Sequence, residues 1–164
     1  VGLDIYRIDD RLIHGQVVVG WGQPLDLRFL VLVDDEVAAS EWEQELYRMG
    51  VPPEMEVFFE SVESAARSLE RYQQEQRHGM LLTPDIGTMR RLVQARPGAI
   101  RRVNLGGIHY KPGRTQKLRY LFLTPAEEGE LRDLEALGVE VSAQDLPAAR
   151  PLSLREVLSG EVHS

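Results

Sequence analysis

The sequence predicts an α/β fold: a mostly parallel central sheet of about six or seven strands with helices on both faces. Two observations carry that expectation. Apolar runs alternate with helix-period segments along the whole chain. One of those runs, Arg28-Phe29-Leu30-Val31-Leu32-Val33, is almost continuously apolar, as a strand buried on both faces must be. In chain order, residues 3–8 read as a strand and residues 15–22 as a short helix or turn region. Residues 28–33 form the buried strand, and residues 37–49 a helix stopped by Gly50-Val51-Pro52-Pro53. Residues 55–59 are a strand, followed by a helix over 62–72 with Ser61 as N-cap; Ser64 stands where a full capping box would want an acid. Residues 79–83 are strand-like, and residues 84–95 a helix with proline at its start. Residues 99–105 and 118–123 are strands, residues 125–137 a helix, 138–142 a last strand, and 153–158 a short closing helix. No internal repeat or linker interrupts the pattern, so residues 1–164 read as one domain.

Composition bounds the function. Of 164 residues, 43% are hydrophobic and 27% charged, the balance of a globular chain rather than a disordered one. Lys and Arg number 19 against 26 Asp and Glu, a net charge of −7, which argues against nucleic acid as a partner. There are no cysteines, which excludes disulfides, thiolate metal sites and a cysteine nucleophile. No apolar run approaches the ~20 residues that span a bilayer, and the start has no signal-peptide pattern. It also lacks an initiator Met, so a trimmed start is expected. These features point to a cytoplasmic protein.

In open α/β sheets, ligands bind outside the carboxyl ends of the strands. The first such loop follows residues 3–8 and places Asp9, Asp10, Arg11 and His14 within six positions, with Gly15 directly after the imidazole. A neutral imidazole, with an unperturbed pKa of about 6.5, is a competent nucleophile toward phosphorus. A helix beginning at Gly15 turns its free N–H groups, including that of Gln16, toward the anion that would form. Arg11 adds charge-assisted hydrogen bonds. One of Asp9 or Asp10 fixes the ring tautomer or holds Arg11 in place. The plainer reading of the same residues is a helix cap with an ion pair, and the spacing alone does not choose between the two.

The string Arg7-Ile8-Asp9-Asp10-Arg11-Leu12-Ile13-His14-Gly15-Gln16-Val17 closely resembles the active-site signature of the enzyme IIB components of the mannose/fructose/sorbose family of bacterial sugar phosphotransferase systems. Val33-Asp34-Asp35-Glu36-Val37-Ala38 and Val103-Asn104-Leu105-Gly106-Gly107-Ile108 resemble the same family, and the likeness runs over nearly the whole chain. It implies that His14 is the catalytic residue. The histidine accepts a phosphoryl group on Nδ1 from a phosphohistidine IIA protein and passes it to a sugar of the hexose/ketohexose class, held by membrane IIC and IID subunits. It also implies that Arg11 contacts the phosphoryl group; Asp10, Gly15 and Gln16 are expected to bind it as well, and no cofactor or metal is expected. A regulatory phosphoreceiver of the same fold, binding a partner according to its phosphorylation state, is the alternative. A metabolite enzyme using the same crevice is a third. An exposed edge strand offers a surface for a homodimer.

Four other features have competing readings. Asp34-Asp35-Glu36 suits a magnesium ion but also a helix start, where acids are favoured. Asn104, Gly106 and Gly107 form a rim around the phosphoryl group or a tight turn that exploits positive φ. His109, Lys111, Arg114 and Lys117 form a basic cluster that meets an acidic partner or lies solvated. Trp21 and Trp42 read as packing residues rather than sugar stackers.

Overall fold

The computed structural model describes residues 2–13 and 15–159, with Gln16 described by its backbone alone; His14 lies outside the described residues. The elements follow one another as β1 (Gly2–Ile8), α1 (Gly15–Gly22), β2 (Leu27–Val33), α2 (Asp35–Ala38), α3 (Glu41–Met49), β3 (Glu56–Glu60), α4 (Val62–Gln73) and β4 (His78–Thr83). The second half runs α5 (Ile86–Ala95), β5 (Arg102–Leu105), β6 (Thr115–Leu118), β7 (Leu121–Leu123), α6 (Pro125–Ala136), β8 (Glu140–Ala143), β9 (Leu152–Ser153) and α7 (Leu154–Val157).

Seven strands form one sheet in the order β3-β2-β4-β1-β5-β8-β9, every pair parallel except β8 with β9. Alternate residues along the central strands feed two cores, because successive side chains point to opposite faces. Ile8, Phe29, Val31, Val33 and Leu81 pack with α4, α5, α6 and α7 on one face. Leu30, Leu32, Met80 and Leu82 pack on the other with Val17, Val18 and Trp21 of α1. This two-sided covering makes the apolar run of β2 necessary. β1 is held between β4 and β5, and its register sets Arg7 opposite Asn104 and Ile8 opposite Leu105. The chain leaves β1 toward β2 on one side and leaves β5 toward β8 on the other. The ends of β1 and β5 are therefore the switch point of the sheet, the crevice at which folds of this kind bind ligands.

Four local expectations change. The helix over 37–49 is two helices: α2 ends at Ala38, and Ser40 starts α3 by accepting a hydrogen bond from the Glu43 N–H at 3.2 Å. Proline does not open the helix after β4; Asp85 does, accepting from the Thr88 N–H at 2.7 Å. The strand over 118–123 is an antiparallel hairpin, β6 with β7, outside the main sheet. Ser64 completes a reciprocal capping box without an acid: its hydroxyl accepts from the Ser61 N–H at 3.0 Å, while the Ser61 hydroxyl accepts from the Ser64 N–H at 3.0 Å.

Candidate functional site

The loop after β1 is pinned at both sides by backbone hydrogen bonds. The Asp9 N–H donates to the Thr83 carbonyl at 3.0 Å, and the Asp10 N–H to the Gly107 carbonyl at 2.8 Å. The Gly106 N–H returns to the Ile8 carbonyl at 2.7 Å. Leu12 then takes a left-handed backbone, φ 51°, a conformation that costs energy for a branched residue. Burial of Leu12 and Ile13 in the α1-side core holds that turn in place. The loop is thus fastened up to Ile13 and again from Gly15, where α1 begins.

Asp9 is the hub. It is fully buried and accepts from Arg11 at three points: the backbone N–H at 3.1 Å, Nε at 2.8 Å and Nη2 at 2.7 Å. Arg7 Nη2 donates to it at 3.0 Å. Burial works to raise the Asp9 carboxyl. The hydrogen bond from Arg11 and the charges of Arg7 and Arg11 outweigh it and hold the group below the ordinary carboxylate range. Asp9 in turn raises Arg11 above an ordinary guanidinium, chiefly through that hydrogen bond. Of the two aspartates, Asp9 is therefore the one that holds Arg11. The Arg11 side chain stays a quarter exposed at the mouth of the crevice.

Arg7 was absent from the expected site and is its buried base. It has no exposed surface, and its desolvation lowers its pKa. Its guanidinium donates to the Gln144 carbonyl at 2.8 Å, the Asp145 carbonyl at 3.2 Å and the Asn104 side-chain oxygen, and lies 4.4 Å from the centre of the Trp21 ring. Trp21 Nε1 also donates to the Asp145 carbonyl, at 3.1 Å. Asp145, just beyond β8, places one oxygen 3.5 Å from Arg11 and the other 2.9 Å from Arg119 on the turn between β6 and β7. Three guanidiniums thus share two carboxylates in this network, with Arg11 and Arg119 reaching its exposed side.

The remaining expected residues divide. Asp10 pairs with His109: its carboxylate accepts from the His109 backbone N–H at 2.8 Å and contacts ring Nδ1. The amide of Asn104 is occupied by Arg7 and by Gln144, to which it donates at 3.2 Å. The glycine pair does not supply positive φ; Gly106 and Gly107 are absent from the left-handed glycines. Its reason is close approach. A Cβ at Gly106 would meet the Arg7 guanidinium and stand 2.5 Å from Asp9 Oδ2, and one at Gly107 would stand 3.0 Å from Arg11 Nε. Gly15 is exposed, with open space where a side chain would be.

The basic cluster is not a free patch: Arg114 pairs with Glu127 at 2.8 Å and Lys117 with Glu128 at 3.0 Å. Trp21 is packed as expected, whereas Trp42 is 71% exposed, so its packing role is withdrawn. Asp34 sits at the N-cap of α2, and Asp35 accepts from the Val62 N–H at 2.9 Å and pairs with Arg91 at 3.0 Å. Among the described residues no cluster of His, Asp and Glu is arranged to hold a metal ion. Arg7, Asp145 and Arg119 were missed. Asp145 had a readable signal, since it directly follows the last long strand. Arg7 had a weaker one, as a charge inside an apolar strand.

A doubly covered parallel sheet with a charged, cation-rich crevice beyond β1 and β5 defines an α/β protein whose site suits an anionic group. The comparisons specify it further. Residues 3–164 match the family described as the PTS system sorbose subfamily IIB component. The sorbose-specific EIIB component of Klebsiella pneumoniae is 34% identical over 143 residues, 85% of this chain and 84% of that protein. The N-acetylgalactosamine-specific phosphotransferase enzyme IIB component 1 of Escherichia coli is 33% identical, over 86% of this chain and 89% of that one. The crystal structure of the IIBSor domain of the Klebsiella pneumoniae sorbose permease superposes with a TM-score of 0.85 at 26% identity, covering 98% of this chain and 99% of the other. The chain belongs to the sorbose-family IIB components of the sugar phosphotransferase system, and so to the phosphotransferases of sugar transport. Among the described residues no helix is long and apolar enough to cross a membrane.

Proposed function

We propose that this chain, acting as one IIB unit on the cytoplasmic face of the membrane, is a phosphohistidine carrier. It takes a phosphoryl group from a IIA protein onto His14 and delivers it to a hexose or ketohexose held by membrane IIC and IID subunits. The observation that carries the reading is the placement of Arg11. Asp9 fixes its guanidinium in a bidentate grip at the crevice mouth, three residues before His14 and beside the start of α1.

In the step proposed, the Nδ1 lone pair of neutral His14 attacks phosphorus as the donor's P–N bond breaks, and the donor imidazole leaves with the electron pair. In onward transfer the sugar hydroxyl oxygen attacks phosphorus, the P–N bond breaks with its electron pair returning to His14 Nδ1, and the hydroxyl proton passes to solvent or to that ring nitrogen. The protein's part is positioning and electrostatics, which dominate phosphoryl transfer generally. Arg11 and the N–H groups of Gly15 and Gln16 receive the phosphoryl oxygens. The open space at Gly15 leaves room for the group. Asn104, Gly106 and Gly107 act one layer back: the amide steadies Arg7, and the two missing side chains let the guanidiniums lie against the loop. Asp10 ties the site loop to His109 rather than touching phosphate. The edge strand β3 is where a second copy would add.

The test is incubation with phosphorylated IIA. Wild type should gain an acid-labile, base-stable phosphate, and His14→Gln none. Equal labelling of His14→Gln would overturn the assignment. Transfer to sugar in membranes holding IIC and IID separates a transport carrier from a regulatory phosphoreceiver, which would hold its label there.

A further inference from the structure

Helix α3 is built inside out. Its inward side carries Gln44, whose amide donates to the carbonyls of Val37 and Ala38 at 3.0 and 3.2 Å, and Tyr47, whose ring lies 6.4 Å from that of Phe59. Its outward side carries Trp42, Leu46 and Met49, which are 71%, 50% and 81% exposed. Their spacing of four and three places them on one helical face. No residue of this helix is buried, so the stripe contributes nothing to either core.

The stripe leads directly to the site loop. Gly50, which follows Met49, lies so close to the loop that its Cβ position is 3.6 Å from the Ile13 carbonyl. Val19 of α1 is half exposed and lines a shallow depression of about 210 Å³ with Pro52 and Met55, edged by Asp26, Arg28 and Glu54. An apolar band therefore borders the segment that carries His14. Large apolar side chains exposed together on one helix face mark a protein-binding face. Its rim is mainly acidic: Glu36, Glu41, Glu45 and Glu54 are exposed, whereas Arg48 is paired with Glu45 at 3.4 Å and Arg28 with Asp26 at 2.9 Å.

We infer that this band, Trp42, Leu46 and Met49 with Val19, docks a basic cytoplasmic loop of the membrane IIC–IID pair. The inference rests on the carrier reading above and assigns the surface used in its second half. Charge selects the occupant. Cytoplasmic loops of membrane proteins carry an excess of Lys and Arg, which complements the acidic rim. A phosphohistidine donor presents an anion and is matched instead by Arg11 and Arg119, which meet at Asp145. An anionic lipid surface is repelled by the same carboxylates.

The experiment uses the unphosphorylated full chain and IIC–IID complexes from the same organism in nanodiscs. Trp42→Ala and Leu46→Ala should each weaken binding by about tenfold or more, as loss of an interface anchor does. Glu41→Lys should weaken it further as a charge reversal, and added salt should weaken wild-type binding. Acceptance of phosphate from IIA should not change in any of these variants. Leu137→Ala, an exposed apolar position at the end of α6, serves as a control with unaltered binding. Absence of wild-type binding, unaltered binding in both apolar variants, or binding to anionic vesicles lacking the subunits would each overturn the inference. So would a matching loss of acceptance from IIA, which would give the band to the donor. Failure of the carrier reading is distinct: His14 of wild type would take no label, whatever the binding result.

Discussion

Replacing Asp9 by Asn removes one charge and no volume from the centre of the site. Asp9 is fully buried, and it accepts from Arg7, also fully buried, and from three N–H groups of Arg11. The amide of Asn has one acceptor oxygen and presents two N–H donors to guanidiniums that are themselves only donors. Arg7 then keeps its charge in the interior with its carboxylate partner gone. Breaking a buried pair this way costs about 3–5 kcal/mol, against a total stability of about 5–15 kcal/mol for a natural domain. For a chain of this size the melting temperature should fall by roughly 6–20 °C. In urea the midpoint should drop with an unchanged slope. The pH dependence gives the sign. Because the folded-state pKa of Asp9 is lowered, its contribution is complete above the unfolded value of about 3.9 and disappears as pH falls through the folded value. The gap between wild type and Asp9→Asn should therefore be widest near neutrality and close in acid. A loss under about 1 kcal/mol at pH 7, or a gap constant down to pH 2, would refute the reasoning.

Three further outcomes follow from the same geometry. Gly106→Ala should cost about 1–3 kcal/mol because its Cβ meets the immovable Arg7–Asp9 pair; Gly107→Ala should cost less, since the partly exposed Arg11 side chain can yield, and paired urea melts compare them. Arg11→Lys keeps the charge but loses the fork that Asp9 grips, so phosphate acceptance from IIA should slow by about 10²-fold, measured in single-turnover labelling. Tyr72 is pushed up to about 12 by burial, assisted by its hydrogen bond to Glu60 and that residue's charge. Its ultraviolet titration should therefore lag free tyrosine, and the stability it lends, complete below pH ~10, should be lost as pH rises toward 12.

The sequence by itself determined the layered sheet, the positions of most elements and the loop that matters. Apolar periodicity reports how many faces of a segment are buried, and Asp9, Arg11 and His14 are local in the chain. It also pointed to the loops after the strands, because the strand-end rule needs only where each strand stops; the sheet order was needed to single out β1 and β5. Only the tertiary structure decided what those residues do to one another. It showed that Asp9 rather than Asp10 grips Arg11, that Asp10 belongs to His109, and that the glycine pair exists for Arg7 and Arg11 rather than for a turn. It also brought Arg7, Arg119 and Asp145 together from separations of up to 138 residues. Hydrogen-bond partners at such distances leave no periodicity in a single chain. The direction of a helix face, inward at Gln44 and outward at Trp42, is likewise set by what lies beside it rather than by its own spacing. Local spacing encodes which residues can share a surface; packing alone fixes which surface meets which.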